Sequence, residues 1–436
     1  MNLFGIMMSD WPGWVLVILS YYIVMKFRKE WNNHLTFTVL FVLTMHHLVA
    51  MVNTYLFMIP GADADAHKFN RLAVDWAASG QYRIVFSARF YEQLLGIFYR
   101  IFHPSHFFGE ELSVIAFLFS CFIFIKLLRL LKLEKYQIGL LVMYGLLPTN
   151  LVLCSVTLRE SYQILFFMLS LYWGLRFYLE RTKYGGVYCI FSAIVMALFH
   201  KALIVYLLIL MPLLLVWFIW KNPDSKMGKI YFTKKRMLIY GGILFFLIIL
   251  LFIGTLFRIP GLDPLTSVFS GKALEYVVEY RTRLMFELAP DARANYGIML
   301  DSSSLGTLIK SISLIYFYYL FSPFPWQISN FLDVYAFVEA LMRFVLISFS
   351  LIYWYKSSGM QRHIWGLLLL VYFSMTFLWS TGTVNYGTSI RHHLLTYWII
   401  VITGGTGLME SLIYFFRPVL QFLKNGTYKK EKSLLS

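Results

Sequence analysis

What most constrains this chain is a succession of apolar segments that follow one another almost without a break and end in clusters of Lys and Arg. A helix needs roughly 20 apolar residues to cross a bilayer, since each residue adds ~1.5 Å to a hydrocarbon path of ~30 Å. Segments of that kind fall at 13–27, 34–58, 111–131, 138–157, 161–179, 186–200, 202–220, 237–257, 333–355, 364–380 and 390–414. The sequence therefore predicts an all-α fold, a polytopic transmembrane helical bundle of about eleven spans. It forms a single membrane domain over 1–436.

Composition supports this reading. Charged residues make up 14% of the chain and hydrophobic ones 59%, whereas a soluble domain is about one-quarter charged. The 41 Phe, 30 Tyr and 12 Trp suit lipid-facing helices with aromatic residues at the membrane interfaces. A net charge of +16 would also suit a nucleic-acid binder, but the bases sit at span ends. That is where positive charge marks cytoplasmic loops facing anionic lipid, so no nucleic-acid partner is expected. Cys121, Cys154 and Cys189 lie in apolar surroundings without metal-ligand spacing and read as packing residues. The first apolar run, Trp14 to Met25, has no basic region before it, so no cleavable signal is expected.

The bases also set the topology. Lys26/Arg28/Lys29, Lys126/Arg129/Lys132/Lys135, Arg176/Arg181/Lys183, the run 221–236, Lys356/Arg362 and the tail 417–436 fall on one side. This side is expected to be the cytoplasm. The loops 59–110 and 258–307 then lie outside, the first carrying amphipathic helices. The segment 307–331 fits simple alternation poorly, because a full crossing would put Arg362 on the wrong side. With Pro323 and Pro325 breaking the helix, it reads as an interfacial or re-entrant element continuing the second outer loop, 258–331.

With that topology the polar residues collect on the outer face. Asp63 and Asp65 follow the second span directly, with His67 and Lys68 beside them. Arg159 and Glu160 end the 138–157 segment, His200 and Lys201 end 186–200, and Arg391, His392 and His393 open the last span. The second outer loop adds Arg281 and Arg283. Ionisable groups at the hydrocarbon boundary pair or line a wet cavity. Asp63 or Asp65 could act as general base or as ligand for a divalent cation. Arg159 and Glu160 read equally as a local ion pair. Glu339 and Arg343, four apart on one helix face, read as a structural pair. No nucleotide loop, zinc motif or nucleophile elbow is present. On these features alone the chain has an extracytoplasmic polar cavity.

An acidic motif after an early span, followed by a loop of amphipathic helices, resembles the integral-membrane glycosyltransferases of the GT-C superfamily. Phe90-Tyr91-Glu92 through Phe102-His103-Pro104 resembles their juxtamembrane helices. Leu147-Pro148-Thr149-Asn150 through Ser155 and Arg159-Glu160 is similar to their helix pair. The element Phe321 to Trp326 looks like one in bacterial exopolysaccharide and O-antigen polymerases of the Wzy type. The likeness runs over roughly 35–330, although many GT-C enzymes place the acid after the first span and this chain places it after the second.

The resemblance implies glycosyl transfer from a polyprenyl-phosphate or pyrophosphate donor to a saccharide acceptor at the outer face of a bacterial inner membrane. Asp63 or Asp65 would serve as base. Arg159, His200, Lys201, Arg281, Arg283, Arg391 and His392 would stabilise the departing phosphate, and Glu160, His67 and Trp326 would support them. A divalent cation is an option at the acids, and a chain-length regulator or other assembly protein is an option as partner. Polymerisation of repeat units is favoured over single-sugar transfer, because nothing in the chain would bind a nucleotide sugar. A flippase or other transporter is the second class. It should carry ionisable residues deep in several spans, and only Glu339 and Arg343 stand out in that respect. An acyltransferase using His200 or His392 is the third.

Overall fold

The computed structural model describes residues 9–60, 63–83, 85, 87–206, 267, 270–288 and 294–416. Over these residues the chain is helical, and its only bridge between extended residues joins Asn295 to Asn385. The helices used below are α1 (Trp11–Phe27), α2 (Asn33–Tyr55), α3 (Asp63–Ser79), α4 (Ala88–Ile101), α5 (His106–Leu130), α6 (Gln137–Gly145) and α7 (Pro148–Leu153). They are followed by α8 (Glu160–Glu180), α9 (Gly185–Leu198), α10 (Ala273–Arg283), α11 (Leu305–Phe321), α12 (Phe331–Lys356), α13 (Gly359–Thr381) and α14 (Tyr386–Ile400).

Among the described residues, five helices are long and apolar enough to cross a membrane: α2, α5, α12, α13, and α14 extended to Phe416. The protein is thus a helical membrane protein, with α9 and α11 as shorter apolar helices. Of the expected span 202–220 only 202–206 is described, and the expected span 237–257 and the tail 417–436 lie outside the described residues. The expected span 138–157 is not one helix. It breaks at Leu146-Leu147-Pro148 into α6 and α7, because proline cannot donate the backbone bond that would continue the turn. The break is sealed from α12: the amide of Thr149 donates to Glu339 Oε1 at 2.7 Å, and the Thr149 hydroxyl also reaches Glu339. Broken backbone at membrane depth persists where protein satisfies it.

Helix starts follow side-chain capping. Asn32 accepts from the Leu35 amide at 2.7 Å, Ser105 from Phe108 at 3.0 Å, and Asn385 from Thr388 at 2.7 Å. Each satisfies a first-turn donor that no helix can pair internally. The helix α11 is uninterrupted over its 17 residues, about 26 Å by helical rise, and packs against α12 and α13. The Ser322-Pro323 peptide bond that follows it is cis.

The helices α3 and α4 pack on one another as a hairpin within 59–110. Its two helices meet at Gly96, where a Cβ would come within 2.8 Å of Trp76 Cβ and 2.9 Å of the Ala73 carbonyl. A residue without a side chain is what allows this approach. In the bundle, α8 packs on α5 and α9, and α12 packs on the π-helical Val401–Gly405 that continues α14.

Two sequence readings need correction. Glu339 and Arg343 do not pair. Glu339 is engaged by Thr149, while Arg343 Nε donates to the Leu320 carbonyl at 2.6 Å. They are also not the only ionisable residues deep in the helices, since His46, His47, Glu110 and Glu111 are all buried. Long apolar runs hide such residues from a hydropathy reading.

Candidate functional site

A cavity of about 1070 Å³ opens beside the start of α3. Residues reach it from the start of α3, the entry to α8, the turn after α9, Ser267, α10 and the α13–α14 turn. Asp65, Arg159, His200, Lys201, Arg391 and His392 all line it, although in sequence they come from four separate places.

Arg391 organises the site. Its Nε donates to Glu160 Oε1 at 2.5 Å, and its Nη1 is paired with Asp65. One planar guanidinium thus ties α3, α8 and α14 together, which its rigid fork of donors suits. The Glu160 side chain is 6% exposed and that of Asp65 49%, so the Glu160 arm is sheltered and the Asp65 arm faces water. Burial opposes ionisation of Asp65, but the Arg391 charge overrides it and holds the carboxyl below its usual range. Glu160 therefore belongs to Arg391 rather than to Arg159. Arg159 instead lies over the Phe69 ring at 5.8 Å and donates to the Phe199 carbonyl at 3.4 Å.

Among the described residues, Arg391 Nη2 and Arg159 Nε are buried with no hydrogen-bond partner. Such donors are costly unless something fills the space beside them. Lys201 Nζ adds a third cation, 3.2 Å from the Tyr276 hydroxyl and 5.4 Å from the centre of the Tyr280 ring.

The two cavity histidines carry opposite faces. His200 Nδ1 accepts from the Ala202 amide at 3.1 Å, so a neutral ring keeps its proton on Nε2 and can donate. The Thr383 hydroxyl donates to the Trp379 carbonyl at 2.7 Å, so it receives His392 Nδ1–H at 2.8 Å. A neutral His392 then presents a lone pair on Nε2. This pattern of partners fixes the hydroxyl and imidazole protons. His392 stacks on Trp379 with ring centres 4.1 Å apart, and the Tyr276 and Tyr280 rings lie nearly parallel at 6.2 Å. The cavity thus holds cations, one neutral donor, one acceptor and two aromatic platforms.

Other expected site residues fall elsewhere. Arg281 is buried behind the wall, where its Nη groups donate to the carbonyls of Ser380, Thr381, Thr383 and Ile298 at 2.9–3.2 Å. Its charge secures the α13–α14 turn and is not offered to a ligand. Arg283 is exposed at the end of α10 and does not line the cavity. His67 turns towards Met58 and His106, and His393 Nε2–H donates to the Tyr319 carbonyl at 2.9 Å. Trp326 is 76% exposed and stacks on Phe324. The Asp63 side chain lies outside the described residues. Among the described residues no group of three or more His, Cys, Asp or Glu is arranged to hold a metal, and the carboxylate of Asp65 is engaged by Arg391.

Sequence reasoning missed Tyr276, Tyr280, Trp379 and Thr383, and named Lys68 only as a neighbour of Asp65. Only the i, i+4 spacing of the two tyrosines and the place of Trp379 at the end of a span hinted at them. No family model, no curated protein and no solved structure matches this chain.

Proposed function

We propose that this membrane protein transfers a glycosyl group from a polyprenyl-linked phosphate or pyrophosphate donor at the extracytoplasmic face, polymerising lipid-linked oligosaccharide repeat units. The observation that carries the reading is the pair of partnerless buried donors, Arg391 Nη2 and Arg159 Nε, in a cavity that also holds Lys201 and His200. Negative charge grows on the leaving phosphate as the glycosidic bond breaks, and fixed donors aimed at it lower that barrier. The Trp379–His392 and Tyr276–Tyr280 faces suit the apolar faces of sugar rings, and His392 Nε2 can accept from a sugar hydroxyl. In this reading Asp65 orients Arg391 and is not the base, because its carboxylate is engaged by the guanidinium.

Purified protein in lipid discs, supplied with a polyprenyl-pyrophosphate oligosaccharide, tests the reading. A ladder of products is expected. A single addition would indicate a single-sugar transferase, and intact donor would sink the enzymatic reading.

One observation favours transport as the second reading. The Ser20 hydroxyl donates to the Val17 carbonyl at 2.6 Å, so it receives His47 Nε2–H at 2.9 Å. His47 Nδ1 lies 2.7 Å from a Glu111 carboxylate oxygen, which sets two buried ionisable groups side by side, and buried ionisable pairs of this kind occur in the proton relays of coupled transporters. Movement of a fluorescent lipid-linked oligosaccharide across a sealed vesicle, driven by a pH gradient, would favour transport.

A further inference from the structure

A second cavity of about 700 Å³ lies along the α3–α4 hairpin, lined by Lys68, Asp75, Trp76, Arg89 and Glu92 among others. Lys68 lines both cavities, so the two share a wall at that residue. The second cavity has the character of a saccharide site: an indole face, two hydroxyls (Ser79 and Ser87), and charges of both signs. The first cavity is richer in cations and suits the anionic donor.

Glu92 has an unusual position in this groove. It is 5% exposed although it sits on an amphipathic helix outside the long apolar spans. No Lys, Arg or His nitrogen lies within ion-pair distance of its carboxylate among the described residues. The charged groups around it are Lys68 and Asp75 from α3, Arg89 from its own helix and Arg159 from the entry to α8, and the Trp76 indole is beside it. A buried carboxylate that faces a cavity and is not neutralised by a direct partner is free to exchange a proton. Asp65 lacks that freedom, because Arg391 holds it.

We propose that the second cavity binds the saccharide acceptor and that Glu92 is the base that takes the proton from its attacking hydroxyl. This rests on the glycosyl-transfer reading of the first cavity. In the step, the acceptor oxygen forms a bond to the anomeric carbon of the donor sugar. The bond from that carbon to the phosphate oxygen breaks, the polyprenyl (pyro)phosphate leaves with the electron pair, and the hydroxyl proton passes to Glu92. Burial holds the Glu92 carboxyl above its ordinary range, which brings its basicity nearer to neutral pH.

Full-length protein in lipid discs is assayed with a polyprenyl-pyrophosphate oligosaccharide in two ways: with a saccharide acceptor, and with azide. Azide attacks the same carbon without having to lose a proton. Glu92→Gln is expected to lower transfer to the saccharide by about 10²–10⁴-fold, to abolish the acidic limb of its pH profile, and to leave cleavage by azide unchanged. Glu92→Asp should recover part of the saccharide rate. Normal saccharide transfer by Glu92→Gln overturns the assignment, as does an equal loss of azide cleavage, which would mark a packing role. Loss of the acidic limb in His392→Gln with Glu92→Gln unaffected would move the base to the histidine. Wild-type protein that cleaves the donor with neither nucleophile would overturn the glycosyl-transfer reading itself, an outcome distinct from a failure of Glu92 alone.

Discussion

Arg391 Nε lies 2.5 Å from Glu160 Oε1 while another arm of the same guanidinium holds Asp65. The two carboxylates come from different helices and meet different solvent, so removing each should have a different result. Glu160→Gln leaves a buried cation partly uncompensated, a change that costs about 3–5 kcal/mol when one partner of a buried pair is removed. Asp65→Asn disturbs a half-exposed pair worth about 0–1 kcal/mol. Thermal unfolding of the two variants in detergent should show a large fall for Glu160→Gln and a small one for Asp65→Asn. Equal shifts would mean that the clamp is not built as described.

Replacing Arg391 by Lys keeps the charge and loses the fork. A lysine is a point donor on a flexible stem and cannot serve Glu160, Asp65 and a ligand together. Binding of a polyprenyl-pyrophosphate donor should weaken at least about tenfold, in line with about 1.5–3 kcal/mol for a charge-assisted hydrogen bond, while expression stays near wild type. Unchanged donor affinity in Arg391→Lys would remove the phosphate from this cavity.

Asp65 and Glu92 should respond to pH in opposite ways. The Asp65 carboxyl is held below its ordinary value of 3.8. Its contribution to stability is present above that value and is lost as pH falls through the lower folded value. The clamp should therefore survive mild acid. The Glu92 carboxyl is raised above 4.5, so the folded state keeps this proton longer than the unfolded state does. Stability then falls as pH rises from 4.5 through the folded value. Glu92→Gln should remove that fall and raise the melting temperature near neutral pH. A melting curve of Glu92→Gln that follows wild type from pH 4 to 7 contradicts this.

Gly96 sets the separation of α3 and α4, and through it the placement of Asp65, Lys68 and Glu92. A Cβ there meets Trp76 and the Ala73 carbonyl below 3 Å, and overpacking of this kind costs about 1–3 kcal/mol. Gly96→Val should lower both stability and transfer, with the hairpin as the first region to gain backbone hydrogen exchange. Protection unchanged across 63–101 would show that the hairpin tolerates the extra bulk.

The expected topology places His103 outside and Lys29 in the cytoplasm. All three native cysteines are buried, so single cysteines introduced at these exposed positions report cleanly. An impermeant maleimide applied to intact cells should label the variant at His103 and spare the one at Lys29. The reverse pattern would invert the protein and move the cavity to the cytoplasmic side.

The sequence alone determined that the chain is helical and built for a membrane. That follows from local quantities: segment length, apolar content and the position of Lys and Arg. It also singled out Asp65, Arg159, His200, Lys201, Arg391 and His392, because charge at a helix end is visible in the letters. What the letters could not decide was which charges meet. Glu160 is next to Arg159 in sequence, yet it serves Arg391. Arg281 looks like a free cation, yet four carbonyls use it. The 138–157 segment is apolar enough to cross, yet Pro148 breaks it and Glu339 completes the break from a distant helix. Hydropathy is a sum over neighbours along the chain, whereas partner choice, tautomer and cavity are set by helices that touch across it. Only the tertiary packing fixed those.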